Sequence, residues 1–545
     1  MSFSILERTR QGAVIDGRTG EAEVRGGKAL GILAIFILIG FTIALTVSMF
    51  AGSSPYGVVV VAGIILTGVP LTALTLQALP EAIANVKLLA RNWTWWHLLW
   101  FFIFFSMLVF RIRDVSEAQS NPIDGYAMLR ILPEAFVSIS LIIRLILKKP
   151  NWLGALFRGI PGAMAIYCLV CLATTAWSVN ASWTAYKSLE FLADVSLLAA
   201  IVSSAEGFFT YKNLVDWTLT FYGISLIGVW SNLPIWPAEA WDGGRLTGVI
   251  PVEASNSVGT SGAVLAIISL CRLMPVFGRA KGRAWYILLL VFGLVSMVLS
   301  QTRNAEAAFV FALAVIVISS PRLRKFAFWG SLGVAPLIAM AAVLNDRLLP
   351  HLWDLAVSFL QRDQSDAAIG SLSGRTAWWE YGIQQLMHHP WTGLGAYAAG
   401  RFAVLGKLGV GAAAMMHSDW IEILIGTSLW GLIPFAGALL AAWYYLFRCI
   451  RSDSFNHDQR QLALELFALL GMLTMHSFFN DELSWHCPLL YFAILGYAEF
   501  IRTYPKVQSK FELERRPLYQ ALSGHALSNQ SLSKDVPQQQ LSTKI

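Results

Sequence analysis

Long apolar runs set the first limit on this chain. Stretches of about 17–25 residues, enough for a helix to cross a bilayer, begin at Gly31, Gly57, Trp96, Ile131, Ile160, Ser188, Leu214, Asn256, Ala284, Asn304, Phe326, Leu429, Gln461 and Trp485. A backbone inside lipid has no water to bond to, so such runs fold as helices. The expected fold class is an all-α integral membrane protein with about 14 transmembrane helices (roughly 12–14). Composition agrees: 13% of residues are charged, against about a quarter in soluble domains. The net charge of +7 does not indicate nucleic acid, because the Lys and Arg cluster in short segments between apolar runs, as topology signals do.

The charges orient the spans. With the N-terminus in the cytoplasm, alternate loops hold Lys87 and Arg91; Lys148, Lys149 and Arg158; Lys212; Arg272, Arg279, Lys281 and Arg283; Arg322, Arg324 and Lys325; Arg448, Arg451 and Arg460. Each of these loops obeys the positive-inside rule. The expected organisation is a cytoplasmic tail (1–29), eleven spans (30–344), a periplasmic loop subdomain with short helices (345–428), three further spans (429–501) and a disordered cytoplasmic tail (502–545). The first 28 residues are too polar for the leading region of a cleavable signal. Cys168 and Cys171 form a C-x-x-C inside an apolar run, where two small packing residues are expected rather than a redox pair.

Positive charge on the far side opposes topology and asks for another use. Arg111, Arg113, Arg130, Lys187, Arg245, Arg303, Arg347, Arg362, Arg375, Arg401 and Lys407 fall there. Long cationic chains can simply snorkel to lipid phosphates. Lys187, Arg245 and Arg303, however, sit at or just inside helix ends, where ionisable residues tend to face a cavity. The arginine fork suits phosphate oxygens, so an anion site for a lipid-linked phosphate or diphosphate is expected.

Several segments then resemble a family. Gly374-Arg375-Thr376 with Trp378, His389-Pro390 and Gly393-Leu394-Gly395 resembles the signature of the O-antigen ligase and Wzy-type polysaccharide polymerase superfamily. So does His417-Ser418-Asp419-Trp420-Ile421-Glu422, leading into Gly426 through Gly431. Upstream, Arg245-Leu246-Thr247-Gly248 with Asn256 and Gly259, and Ser300-Gln301-Thr302-Arg303, are similar to its motifs. Trp177-Ser178, Trp183 and Lys187 resemble a segment in which the family often has Arg at the place of Lys187. The resemblance covers roughly residues 170–445 and is closest to exopolysaccharide polymerases of the succinoglycan type.

This resemblance implies a GT-C-like glycosyltransferase architecture and inverting transfer of a saccharide from undecaprenyl diphosphate to an acceptor hydroxyl at the periplasmic face of the bacterial inner membrane. His417 is the expected general base, since imidazole accepts protons near neutral pH. Arg303 and Arg375, then Arg245 and Lys187, are the expected diphosphate ligands, by electrostatic stabilisation of the leaving group. Asp419 and Glu422, spaced i,i+3, share a helix face and are expected to orient His417 or bind acceptor hydroxyls. No cofactor and no metal are expected: His388, His389, His417, Asp419 and Glu422 fit no H-E-x-x-H pattern. The implied partners are the lipid-linked donor, a glycan acceptor, membrane lipid, a flippase and a chain-length regulator; nucleic acid is not among them.

Extra N-terminal spans favour a repeat-unit polymerase, with a ligase that transfers the glycan to lipid A core or protein as the alternative. A polytopic polysaccharide or lipid transporter is a further alternative, on the intramembrane charges Lys187, Glu190 and Asp194. Gly259-Thr260-Ser261-Gly262 matches the G-x-S-G of rhomboid proteases, but small residues of this kind also serve helix packing.

Overall fold

The computed structural model describes residues 74–87, 89–91, 93–109, 117, 124–147, 152–205, 207–277, 283–320, 323–325, 374–410, 415–484 and 489–504. The runs expected to start at Gly31, Gly57, Phe326 and Trp485 begin outside these residues. The N-terminal tail, residues 505–545 of the C-terminal tail, the 345–373 part of the long loop, and Arg111, Arg113, Arg347 and Arg362 lie outside them as well.

The described chain is built of helices that run back and forth between two ends. They are α1 (Trp95–Leu108), α2 (Gly125–Ile146), the short α3 (Trp152–Leu156), α4 (Gly159–Ala173), α5 (Ala181–Ser204), α6 (Phe208–Asn232) and a single turn α7 (Pro237–Ala240). A hairpin follows, β1 (Trp241–Asp242) antiparallel to β2 (Arg245–Leu246). Then come α8 (Ser255–Leu273), α9 (Arg283–Ser300), α10 (Arg303–Ser319), α11 (Arg375–His388), a π-helical turn (Ala399–Leu405), α12 (Asp419–Arg451), α13 (His457–Ser477) and α14 (489–504). Helices thus occupy the runs expected from Trp96 to Asn304 and from Leu429 to Trp485.

Among the described residues, Gly159–Ala176, α8, α9 and α12 are long and apolar enough to cross a membrane. Eighteen residues at 1.5 Å each give about 27 Å, close to the hydrocarbon thickness. Apolar side chains also face outward in stripes: Ile287, Val291, Val295 and Val298 on α9, and Ile433, Leu440, Tyr444 and Phe447 on α12. In water, apolar faces of this extent would be a liability; against lipid they are the solvent-facing surface. The helices less apolar by sequence lie inside. α13 is buried along nearly its whole length, and α5 buries Lys187, Glu190 and Asp194.

Small residues set the closest crossings. A Cβ on Gly262 would lie 2.6 Å from the Gly293 carbonyl oxygen, so α8 and α9 touch backbone to backbone. The Gly259–Gly262 stretch is therefore a packing seam, with Ser261 buried in it. Cys168 and Cys171 are likewise buried and unbridged.

The alternation sorts the cations. One end gathers Arg272, bonded to Asp216 (2.8 Å) and Glu465 (3.1 Å), with Lys212 also on Asp216. At the same end Glu499 pairs with Arg502 (2.6 Å) and accepts the Ile160 N–H that opens α4. The other end carries the β-hairpin, the α9–α10 break, α11, the π-helical turn and the start of α12. Arg130, Lys187, Arg245, Arg303, Arg375 and Arg401 all lie toward it.

Helix α12 is broken near its start, and the break explains the glycine motifs. Ser428 sits at φ 57°, ψ −154° within the helix, which leaves carbonyls upstream without their helical donors. Leu394 and Gly395 supply them: their N–H groups donate to the Ile425 (2.9 Å) and Gly426 (3.0 Å) oxygens. A broken helix at membrane depth is tolerated only when protein re-satisfies its backbone in this way. The fit demands glycine twice. Gly393 has φ +64° and would place a Cβ 2.6 Å from the Gly426 oxygen; Gly395 has φ +105° and would place one 2.1 Å from Ser178 Oγ. The Trp177–Thr184 segment is the other wall of this socket. Trp177 Nε1 donates to the Thr392 oxygen, Trp183 Nε1 to the Tyr397 oxygen and Thr184 Oγ1 to the Ala396 oxygen.

Candidate active site

Ser418, the residue before α12, caps the helix by accepting the Ile421 N–H (3.5 Å), which fixes where the preceding residue lies. That residue is His417. Its φ of 54° puts it in the left-handed region, a conformation that costs a non-glycine residue about 1–3 kcal/mol and persists only where neighbours impose it. The neighbours are explicit. The His417 N–H donates to Asp481 Oδ2 (3.0 Å), and its Nδ1 lies 3.2 Å from Asn480 Oδ1. The Trp378 ring lies roughly parallel to the imidazole, 6.3 Å between centroids.

The loop that follows α13 therefore forms half of the site. Asp419 holds this loop: Oδ2 accepts the N–H groups of Glu482 (2.9 Å) and Leu483 (2.8 Å), and Oδ1 accepts the Ser484 N–H (2.9 Å) and hydroxyl (2.5 Å). Glu422, one turn on, accepts the N–H groups of Gly400 (3.3 Å) and Met416 (3.4 Å), tying the π-helical turn to the residue before His417. Both carboxylates share one face of α12, as their spacing predicts, and both are buried. They tie together the loops around His417, and four donors converge on Asp419.

Arg375 opens α11 and its Nη1 donates to the Phe479 carbonyl (2.5 Å). Burial pulls its pKa down, against the opposing attraction of Asp481. Burial, then the Arg375 charge, pushes the His417 imidazole down to about 4, although the Asn480 bond works the other way. A neutral imidazole beside a guanidinium results at neutral pH. The acids respond in the opposite sense. Burial, together with Asp419 and Glu422, holds the Asp481 carboxyl well above the usual range, and burial raises Glu482 to about 8 and Glu253 to about 7. Asp481 Oδ1 and Glu253 Oε2 are buried with no hydrogen-bond partner among the described residues.

Arg303 and Arg245 come to the same end on neighbouring elements. Arg303 is the first residue of α10, and the next residue, Asn304, donates its Nδ2 to the His476 carbonyl (3.1 Å) at the end of α13. Gln301 Nε2 donates to the Gly244 oxygen (2.9 Å), docking the hairpin that carries Arg245 beside that break. Thr302 Oγ1 donates to the Ser255 oxygen (3.0 Å) at the start of α8.

Lys187 belongs to a different cluster. Its ammonium pairs with Glu190 (2.5 Å), which Arg130 also holds (2.6 Å). Lys187 and Arg401 both flank the Trp183 ring, at 5.9 and 5.0 Å from its centroid. His388 and His389 are exposed at the end of α11. Among the described residues no group of three or more His, Cys, Asp or Glu is arranged to hold a metal ion.

Sequence reading did not single out Asn480, Asp481 and Glu482. Their signal is visible afterwards: Phe479-Asn480-Asp481-Glu482 is an acidic turn between two apolar runs on the side poor in basic residues.

Together these features define a class: a helical membrane protein with a buried site of arginines, histidine and carboxylates at one end of its bundle. Residues 288–436 match the family model described as O-antigen ligase, which supports the O-antigen ligase/Wzy superfamily for this chain. The match runs from α9 past the break in α12 and includes Arg303, Arg375, His417, Asp419 and Glu422. Arg245, Lys187 and the 480–482 turn lie outside it. The family implies a glycan ligase or polymerase acting on lipid-linked glycans in a membrane. No curated protein matches the chain.

Proposed function

We propose that this chain polymerises oligosaccharide repeat units carried on undecaprenyl diphosphate, at the periplasmic face of a bacterial inner membrane. The observation that carries the reading is His417, held neutral in a strained backbone position beside Arg375 and the 480–482 turn. The acceptor hydroxyl gives its proton to the imidazole as its oxygen attacks the anomeric carbon. The bond from that carbon to the diphosphate oxygen breaks, and the electron pair leaves with the polyprenyl diphosphate. Attack opposite the leaving group inverts the anomeric centre. Arg375, Arg303 and Arg245 neutralise the diphosphate, where a desolvated site makes each charge count for more than in water. The Trp378 face suits an acceptor sugar's C–H face.

The periplasmic side rests on charge. The end with Arg272, Arg451, Arg460 and Arg502 is the basic one, and the positive-inside rule assigns it to the cytoplasm. A flippase and a chain-length regulator are the partners this placement calls for. A second reading, ligation of a finished glycan, is favoured by the description of the matched family model. Glycans from a deletion strain separate the two on a gel. Loss of a polymerase leaves single-repeat products; loss of a ligase leaves long chains on the carrier lipid. We expect the single-repeat outcome. Repeat units accumulating on the cytoplasmic face would instead support a transporter.

A further inference from the structure

The side chains behind His417 form a row of close polar contacts, hydrogen-bonded between Thr260 and His476 and again from Glu482 through Asn480 to His417. Thr260 Oγ1 donates to the Asn256 carbonyl (2.9 Å), so its hydrogen is used. Its lone pairs then face His476 Nε2 at 3.2 Å, which makes that nitrogen the donor and leaves Nδ1 with a lone pair. Nδ1 lies 3.4 Å from Glu482 Oε1 and has no hydrogen-bond partner among the described residues. Asn480 Nδ2 donates to the same Glu482 oxygen (2.9 Å), so the Asn480 oxygen is the atom turned to His417 Nδ1 (3.2 Å). An oxygen there requires a hydrogen on Nδ1.

We propose that Asn480, held by Glu482, is a positioning residue that fixes His417 as the Nδ1–H tautomer and leaves Nε2 free to take the acceptor's proton. This rests on the general-base reading of His417 and adds the group that selects its tautomer. Unaided imidazole favours the hydrogen on Nε2, the form that cannot accept there. The half-buried Glu482, its pKa raised to about 8, is mostly protonated at neutral pH and keeps an oxygen that accepts from Asn480.

The test uses the full chain in lipid nanodiscs, labelled with ¹⁵N-histidine. The His417 signals are assigned by their loss in His417→Ala. We expect a protonated Nδ1 and bare Nε2 on His417, and the opposite tautomer on His476. Asn480→Leu should shift His417 toward Nε2–H and lower long-chain glycan in the complemented deletion strain about 10- to 100-fold, less than removal of a base costs. Asn480→Asp keeps an oxygen acceptor, so it should keep the tautomer and raise the His417 pKa. The groups that bear on that pKa are Arg375 on α11, Asp419 and Glu422 on α12, His476 on α13, and Asp481 and Glu482 in the turn. A wild-type spectrum with Nε2–H on His417, or an unchanged tautomer in Asn480→Leu, overturns the proposal. The expected tautomer together with full glycan from His417→Ala would instead refute the general-base reading while the positioning role stands.

Discussion

Asp419→Asn isolates the scaffold of the site from its chemistry. The substitution keeps the side chain's size and turns one acceptor oxygen into an NH2 group. Four donors converge on the wild-type carboxylate, two on each oxygen. With the NH2 turned to Ser484, the hydroxyl can rotate to accept from it and one buried donor, the Ser484 N–H, faces another donor; turned the other way, the Glu482 and Leu483 N–H groups both do. At about 1–3 kcal/mol for each orphaned group, the loss in the less costly orientation is about 1–3 kcal/mol. Against a typical folding stability of about 5–15 kcal/mol, that is a large fraction. The damage falls first on the 482–484 turn, and through it on the Asn480 and Asp481 contacts to His417. Thermal unfolding of the purified chain in detergent, followed by tryptophan fluorescence, should show a drop of several degrees, and long-chain glycan should be lost in cells. An Asp419→Asn protein with unchanged melting and full glycan would refute the view that this carboxylate builds the site.

Other perturbations separate packing from charge. Gly395→Ala should destabilise strongly, because the added Cβ meets Ser178 in a backbone conformation that only glycine favours; Gly437→Ala, with open space around it in α12, should be neutral or raise stability by about 0.5–1 kcal/mol, and melting curves of the pair decide it. Arg272→Met leaves the Asp216 and Glu465 carboxylates without their shared partner and should cost about 3–5 kcal/mol, read as lost thermal stability. With a His417 pKa of about 4 in the folded protein against about 6.5 unfolded, unfolded chains bind more protons between those values. The His417 contribution is therefore full above pH 6.5 and lost as pH falls toward 4. Glu482, raised to about 8, acts oppositely: its contribution is full below pH 4.5 and lost as pH rises through 8. Melting against pH should flatten on the acid side in His417→Gln and on the alkaline side in Glu482→Gln; no change in either would contradict these shifts.

Much of the architecture was legible because bilayer physics leaves few choices. Apolar length and the sidedness of Lys and Arg anticipate helices from α1 to α14 and the division of cations between two ends. The role of the glycine motifs was not legible. Gly393, Gly395 and Gly426 read as a signature, yet their function appears only when the 390s segment is seen capping the broken start of α12. Local sequence cannot announce a partner some thirty residues away. Lys187 shows the complementary difficulty: the sequence marks a cation near a helix end, and only the fold shows that Glu190 pairs with both it and Arg130. Asn480, Asp481 and Glu482 stayed hidden because the contact with His417 spans more than sixty residues and no spacing rule links them.

The central claim is a chemical one, and reconstitution addresses it most directly. The purified full-length chain in vesicles, supplied with a polyprenyl-diphosphate-linked saccharide and no nucleotide sugar, should lengthen the glycan and release polyprenyl diphosphate in step. His417→Ala and Arg375→Ala, folded by their melting curves, should do neither. Release and elongation at the wild-type rate by His417→Ala would contradict the account.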